Sequence, residues 1–490
     1  MTETDLSFNS SKSLFSLYLA SFWVNLGFGI IMPFLPIYAS RLSSDIELGL
    51  YTIGIGLQMG IITSAFMISR ALLAPVYGKM SDSKGRKPII LIGLIAYAFL
   101  SVAFGLATGI AELFIVRLLQ GIASAAVWPV AESLVVDLSP PERKGKNLGF
   151  FMLSMMLGWS LGPFLGSGFI ILLETQGITG LLATRITFVS VGIFSVISVL
   201  VAHFWVRDPK LGSGQRLTRR ELWETLGLAL TLSIAAFRPR RPKIYEHFRE
   251  KDRNLRILYL VALSNGFAFS LVFPIMALFW FDFYGLAEKE IGIILGIAGV
   301  LGLLMSPISG WASDRFGRKP VIGVAGTISA FIGFFLGIKW ALLIVVGILL
   351  VRQMTAMLYM PAFRALQADV ISKEVRGAEF GLVQAFFNYG SILGPILGGL
   401  IYDATKSYQW SLKVVGSDFT VLGPEILFFL VSIMGLMTIL VLLTFIKLEP
   451  EVKPLYQAAG EFLEKTGTKP LSSSAKPQRS STSSFEEFQD

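Results

Sequence analysis

The stretch GKMSDSKGRKPII at residues 78–90 returns as GWASDRFGRKPVI at 310–322, identical at eight of thirteen positions. The separation is 232 residues. The same offset pairs Pro129 with Pro361, Asp137 with Asp369, Glu142 with Glu374, Gly145 with Gly377 and Gly149 with Gly381. It continues through Gly158 and Gly390, Gly162 and Gly394, Pro163 and Pro395, and Gly166 and Gly398. One register held over that distance is a tandem duplication.

Each copy of the quoted stretch is a short charged loop between apolar runs. A membrane-crossing helix needs about 20 mostly apolar residues. Twelve segments qualify, near 13–40, 52–78, 88–107, 110–136, 146–174, 184–206, 255–283, 289–312, 320–338, 340–368, 378–403 and 423–446. Each is read as helix, because unpaired backbone in hydrocarbon is too costly. Composition agrees: 53% of the 490 residues are hydrophobic and 15% charged, against about a quarter charged in soluble domains. Mean hydropathy is +0.67. The expected fold class is an all-α membrane protein with twelve transmembrane helices. They form two six-helix parallel repeats related by a pseudo-two-fold along the membrane normal, since six spans return each half in the same orientation.

The net charge of +9 raises nucleic-acid binding and then excludes it, because the basic residues sit in loops between spans. Loops on one side, at 79–88, 138–146, 207–254, 313–320 and 371–378, hold 24 Lys and Arg. Loops on the other side hold five: Arg41, Lys289, Lys339, Lys406 and Lys413. The positive-inside rule then expects an integral protein of the cell membrane with both termini cytoplasmic. MTETDLSFNSSK lacks a basic leader region, so the first apolar stretch reads as span one rather than a signal peptide.

The domain reading follows: a six-helix half at 1–206, a cytoplasmic linker at 207–254, a second half at 255–447 and a disordered tail at 448–490. Within the linker, LWETLGLALTLSIAAF (222–237) is followed by RPRRPK (238–243). It reads either as an interfacial helix on the lipid headgroups or as a linker helix packed on the protein.

No Cys is present and the only histidines are His203 and His247. That argues against metal sites and thiol chemistry. No G-x-x-x-x-G-K-[ST] loop occurs, so ATP hydrolysis is not expected. The expectation is a chain that is not an enzyme and takes no cofactor.

The quoted loops carry a resemblance. G-x-x-x-D-x-x-G-R-K between spans two and three, repeated between spans eight and nine, resembles the signature of the major facilitator superfamily. The likeness covers nearly the whole chain apart from the tail. Arg117, Gln120 and Gly121 resemble that family's R-x-x-Q-G motif. Gly158, Gly162, Pro163 and Gly166 resemble the G-x-x-x-G-P-x-x-G motif of its drug:proton antiporter branch, with Ser167 in place of the last glycine. Gly390 through Gly399, including Gly394, Pro395 and Gly398, give the complete form. Glycines every four residues let a neighbouring backbone approach closely, and the prolines permit a bend. These residues read as packing or hinge positions.

The resemblance implies a conformational latch of Asp82, Arg86 and Asp137, repeated as Asp314, Arg318 and Asp369. It also implies that spans one, four, seven and ten line a cavity. Some drug antiporters of the family carry acids in the centre of span one or seven, where this chain has Asn25 and Asn265. Charges inside spans are expensive and therefore functional candidates: Arg117, Glu132, Arg352 and Arg364. The offset pairs Glu132 with Arg364, so the two could meet across the cavity when its cytoplasmic side closes. Alternatively, each faces headgroups or pairs within its own half. Phe28, Tyr38, Trp128, Phe269, Phe273, Met357, Tyr359 and Phe363 are further candidates for the lining, and Pro33 and Pro274 for flexible breaks.

The leading expectation is a monomeric secondary transporter moving an amphipathic or lipophilic solute by alternating access, with proton-coupled efflux. An organic-anion carrier using the cavity arginines is the alternative within that class. A non-transporting membrane sensor or scaffold is the alternative outside it.

Overall fold

The computed structural model describes residues 3–43, 46–48, 51–140, 143–209, 253–371, 376–414 and 417–446. The linker helix expected at 222–237, its arginine cluster and the tail from 448 lie outside the described residues.

The first half comprises α1 (Glu3–Leu42), α2 (Ile55–Lys84), α3 (Arg86–Leu106), α4 (Ile110–Leu138), α5 (Lys144–Thr175) and α6 (Gly180–Trp205). The second comprises α7 (Arg253–Tyr284), α8 (Glu288–Phe316), α9 (Arg318–Phe335), α10 (Leu342–Val370), α11 (Arg376–Thr405) and α12 (Ile426–Phe445). Among the described residues, eleven helices are long and apolar enough to cross a membrane. The twelfth, α9, has 18 residues and opens on Arg318 and Lys319. At 1.5 Å per residue it is about 27 Å long, close to the thickness of a hydrocarbon core.

The duplication is visible in the packing. α1 packs on α5 and α6, α2 on α4, and α3 on α4 and α6. Raising each label by six gives the second half: α7 on α11 and α12, α8 on α10, and α9 on α10 and α12. The main contacts between halves, α2 with α11 and α5 with α8, exchange under the same operation.

Glycines explain the closest pairs. A Cβ on Gly158 or Gly162 would overlap the α1 backbone at Phe22, Leu26 and Gly29. One on Gly390, Gly394 or Gly398 would overlap α7 at Leu263, Phe267 and Leu271. Without side chains at these positions, backbones approach and dispersion contacts multiply. Gly85 and Gly317 turn the chain at the two repeated loops with φ of 89° each, a conformation that glycine adopts without strain.

Two antiparallel hairpins were not among the expected elements: β1 (Ile46–Leu48) with β2 (Tyr51–Ile53), and β3 (Gln409–Val414) with β4 (Ser417–Leu422). In β3, Trp410, Leu412 and Val414 alternate with Gln409, Ser411 and Lys413, the period of a strand. Both hairpins join helices at the face opposite the repeated loops. The two sides are called below the hairpin face and the loop face.

Candidate functional site

The halves meet near the hairpin face. A Cβ on Gly56 would lie 2.7 Å from the Gly399 carbonyl, and Gly60 packs against Pro395. Gly292, Gly296 and Gly299 of α8 lie against Ser167, Phe164 and Ser160 of α5. Ser64 Oγ donates to the Ile392 carbonyl at 2.6 Å. Charges complete the closure. Arg41 grips Glu288 with two contacts, at 2.6 and 3.0 Å, and Lys289 pairs with Glu174 at 2.6 Å. The first free N–H groups of α2, on Gly56 and Leu57, donate to the Asp403 carboxylate at 3.0 and 2.8 Å. A carboxylate there satisfies orphan donors and meets the positive end of the helix dipole.

At the loop face the same helices stand apart. Cβ atoms added to Gly78 of α2, Gly149 of α5, Gly310 of α8 and Gly381 of α11 would each find nothing within 4 Å. Among the described residues, the close glycine contacts between the halves are therefore at the hairpin face.

Each expected triad lies within one half. Arg86 bonds Asp137 at 2.5 Å, Asp82 at 3.1 Å and Ser81 Oγ at 3.0 Å. Arg318 bonds Asp369 at 3.3 Å and also Asp314. These contacts join the α2–α3 corner to α4, and the α8–α9 corner to α10. Lys87 and Lys319 have a role that the sequence did not suggest. They reach carbonyls at the ends of α6 and α12, on His203 (2.6 Å) and Ile446 respectively, where a cation complements the C-terminal dipole.

The six charged and polar candidates do not converge as one set. Glu132 and Arg364 act on each other electrostatically across the halves without forming an ion pair. Arg364 instead donates to Gln384 at 3.0 Å and Gln367 at 3.4 Å. Arg117 is buried inside the first half, its guanidinium 5.7, 5.9 and 5.1 Å from the Phe28, Phe66 and Phe104 rings. Arg352 lies against Gly333 of α9. Asn25 is buried and donates to the Ser21 carbonyl of its own helix at 2.8 Å, whereas Asn265 links α7 to α10 through Tyr359 Oη at 3.2 Å. Tyr38 is a correction: it is fully buried in the first half, its hydroxyl 3.0 Å from the Ala107 carbonyl, and so does not line the cavity.

Two residues here were not singled out in the sequence. Trp159, between two motif positions, continues a line of rings across the halves. The centroids run Phe28 to Trp159 at 5.8 Å, Trp159 to Phe273 at 5.9 Å and Phe273 to Phe269 at 4.9 Å. Arg70, midway along α2, acts electrostatically on Glu132. Its signal was the one used for the other charges, an ionisable side chain inside an apolar span.

Comparison with known proteins places this geometry. The chain matches the model of the Major Facilitator Superfamily over residues 17–251 and 258–483. It is 23% identical to multidrug resistance protein 2 of Bacillus subtilis over 439 residues, 86% of this chain and 97% of that protein. It is 24% identical to the quinolone resistance protein NorA of Staphylococcus aureus over 409 residues, 80% of this chain and 90% of that one. Among solved structures, the inward open conformation of the xylose transporter XylE from E. coli superimposes with a TM-score of 0.63. It covers 91% of this chain and 99% of that chain, at 15% identity.

Proposed function

The chain belongs to the Major Facilitator Superfamily, and from that premise we propose that it exports a small amphipathic or lipophilic solute in exchange for protons across the cell membrane. Members of the superfamily are transporters and not enzymes, and this chain is a secondary transporter working by alternating access. The solute and the coupling ion are the proposal.

One observation carries it: two repeats touch at one membrane face and part at the other, with apolar rings and few charges between them. Such a lining suits ligands with a large apolar body. The excess of Lys and Arg assigns the loop face to the cytoplasm, with both termini there. On this reading the contacts at the hairpin face belong to an inward-facing state, and the transporter works as a monomer in the bilayer. The Asp82–Arg86–Asp137 and Asp314–Arg318–Asp369 triads are formed while that side is open. They tie the α2–α3 corner to α4 and the α8–α9 corner to α10 within each half. Glu132 is the carboxylate placed to carry the proton, since an acid inside a span is costly unless it is paired or protonated.

Arg70 favours a second reading. With Arg364 it leaves the cavity cluster net positive, which suits an organic anion. An anionic headgroup would compete with Glu132 for the guanidinium groups and favour the protonated acid, so anion and proton would move together. Flux of a lipophilic fluorescent dye from liposomes under an imposed pH gradient separates the two readings. Exchange accelerates dye movement against the proton flow. Acceleration along the proton flow supports the anion reading, and a rate indifferent to the gradient rules out proton coupling.

A further inference from the structure

Arg117 carries its charge into the core of the first half without an acid beside it. Among the described residues it forms no ion pair, and its one hydrogen-bonding contact runs from Nη2 to Met32 Sδ at 3.9 Å. Arg117, Gln120 and Ser124 share one face of α4, since residues three and four apart stand above one another on a helix. The neighbouring α3 comes so close that a Cβ on Gly93 would lie 2.9 Å from the Ala123 carbonyl. Tyr97, one turn further along α3, brings its hydroxyl near Ser124 without the geometry of a hydrogen bond. On the α2 side, Gly121 packs on the Phe66 carbonyl. All four polar side chains are 2% exposed or less. Tyr97 Oη, Arg117 Nε, Gln120 Oε1 and Ser124 Oγ each lack a hydrogen-bond partner. Nine buried side-chain atoms among the described residues share that condition, so nearly half of them gather at this one place.

We propose that these groups bind a resident inorganic anion of chloride size, held by the Arg117 guanidinium and the Tyr97 and Ser124 hydroxyls as the counter-ion of the first half. The Phe28, Phe66 and Phe104 rings stabilise the cation through their faces but offer its N–H groups no oxygen. A buried ion without a counter-charge, beside hydroxyls without partners, is costly for a core to hold. One monovalent anion neutralises the guanidinium and accepts from Nε, Oη and Oγ together. The Gln120 carboxamide, turned end for end, adds a fourth donor. Phe28 separates this site from the line of rings that crosses the halves. Its ring is 5.7 Å from the guanidinium and 5.8 Å from Trp159. The anion is therefore a fixed part of the half rather than cargo, and it ties α4 to α3 through charge.

The test is thermal unfolding of the purified full chain in detergent while chloride replaces gluconate at constant ionic strength. Fixed ionic strength keeps general screening equal and leaves specific binding. Chloride, or bromide in its place, raises the melting temperature by about 2 °C for each tenfold in concentration once the site begins to fill. Arg117→Met loses this response. Tyr97→Phe and Ser124→Ala each raise the half-saturating chloride concentration about tenfold, the loss of one hydrogen bond to a charged group. With no anion bound, these two variants would only remove an orphaned hydroxyl and would respond to chloride as wild type does. If Arg117→Met fails to fold, the two hydroxyl variants carry the comparison. A wild type indifferent to chloride overturns the proposal, the orphaned atoms then being met by water. So does a response that all three variants keep, which would place the anion among the basic residues of the loop face. The readout is stability alone, so its outcome stands apart from the transport reading.

Discussion

The two faces of the molecule use charge differently. At the hairpin face Arg41–Glu288, Lys289–Glu174 and the Asp403 carboxylate on the α2 terminus all cross from one half to the other. At the loop face the more conspicuous charges, Asp82, Arg86 and Asp137 with their repeats, bond within a half. Contacts across a moving boundary decide which state is populated, because they exist in only one of them. Contacts inside a rigid body leave that equilibrium alone and set the stiffness of the part that moves. The duplicated signature is therefore the less informative face for the state seen here. The unrepeated charges opposite it hold the halves together.

The sharpest way to break this contrast is steric. A side chain at Gly399 would overlap the Gly56 carbonyl and approach Leu57 Cα within 2.8 Å, both of them backbone that cannot turn aside. Overpacking of this kind costs about 3 kcal/mol, so Gly399→Leu is expected to cut transport by about a hundredfold. It should also leave cysteines placed near the hairpin face open to a membrane-impermeant reagent. Gly149→Leu meets open space at the loop face and should leave thermal stability and hairpin-face labelling as in wild type. Equal protection of the hairpin-face cysteines in both variants would mean that the Gly56–Gly399 contact does not close that side.

How much of this was legible in the sequence depends on whether a feature repeats. The 232-residue offset exposed the two halves, and the glycines of α5 and α11 announced their close packing. Arg70 carried the same signal as Arg117, an ionisable side chain inside an apolar span, but its repeat position is Gly302, so symmetry did not draw attention to it. The closure at the hairpin face escaped for the same reason. Glu174 is matched by Lys406, Glu288 by Gly56 and Arg41 by Phe273, leaving no motif to find. Tyr38 misled in the opposite direction: an aromatic residue in a cavity-lining span reads as lining, but three carbonyls near the end of α3 draw its hydroxyl into the first half. The choice between facing states is a property of contacts between halves, and no local pattern encodes it.

A milder break removes charge and keeps shape. Asp403→Asn keeps one acceptor oxygen and replaces the other with an NH2 that cannot accept, so one of the two α2 N–H bonds is lost together with the favourable dipole interaction. That is a change of about 1–2 kcal/mol, or roughly tenfold in the balance of states. Labelling of a hairpin-face cysteine should rise accordingly, and more at low salt than at high salt is not expected, since the bonds are short and partly buried. Glu288→Gln should act in the same direction through the loss of Arg41. If either variant labels like wild type while Gly399→Leu does not, packing alone closes this face and the charges are incidental.

The smallest effect distinguishes the two triads from each other. The Arg86 side chain is 11% exposed and its partner Asp137 28%, whereas Arg318 is 26% exposed and Asp369 46%. Arg86 also takes Ser81 as a third partner, while the equivalent Ser313 turns to the Ser309 carbonyl. Removing one member of a partly dehydrated ionic cluster strands the remaining charges, and the cost falls as water reaches them. Arg86→Gln should therefore lower stability by about 1 kcal/mol more than Arg318→Gln, a difference of roughly 2 °C in melting temperature. Neither variant should change hairpin-face labelling, because the bonds that Arg86 and Arg318 make to their aspartates lie within one half. A melting order reversed between the two would show that exposure does not rank these clusters. Labelling altered by Arg86→Gln would show that the first triad acts across the boundary after all, with a partner from the other half that it meets only when the loop face closes.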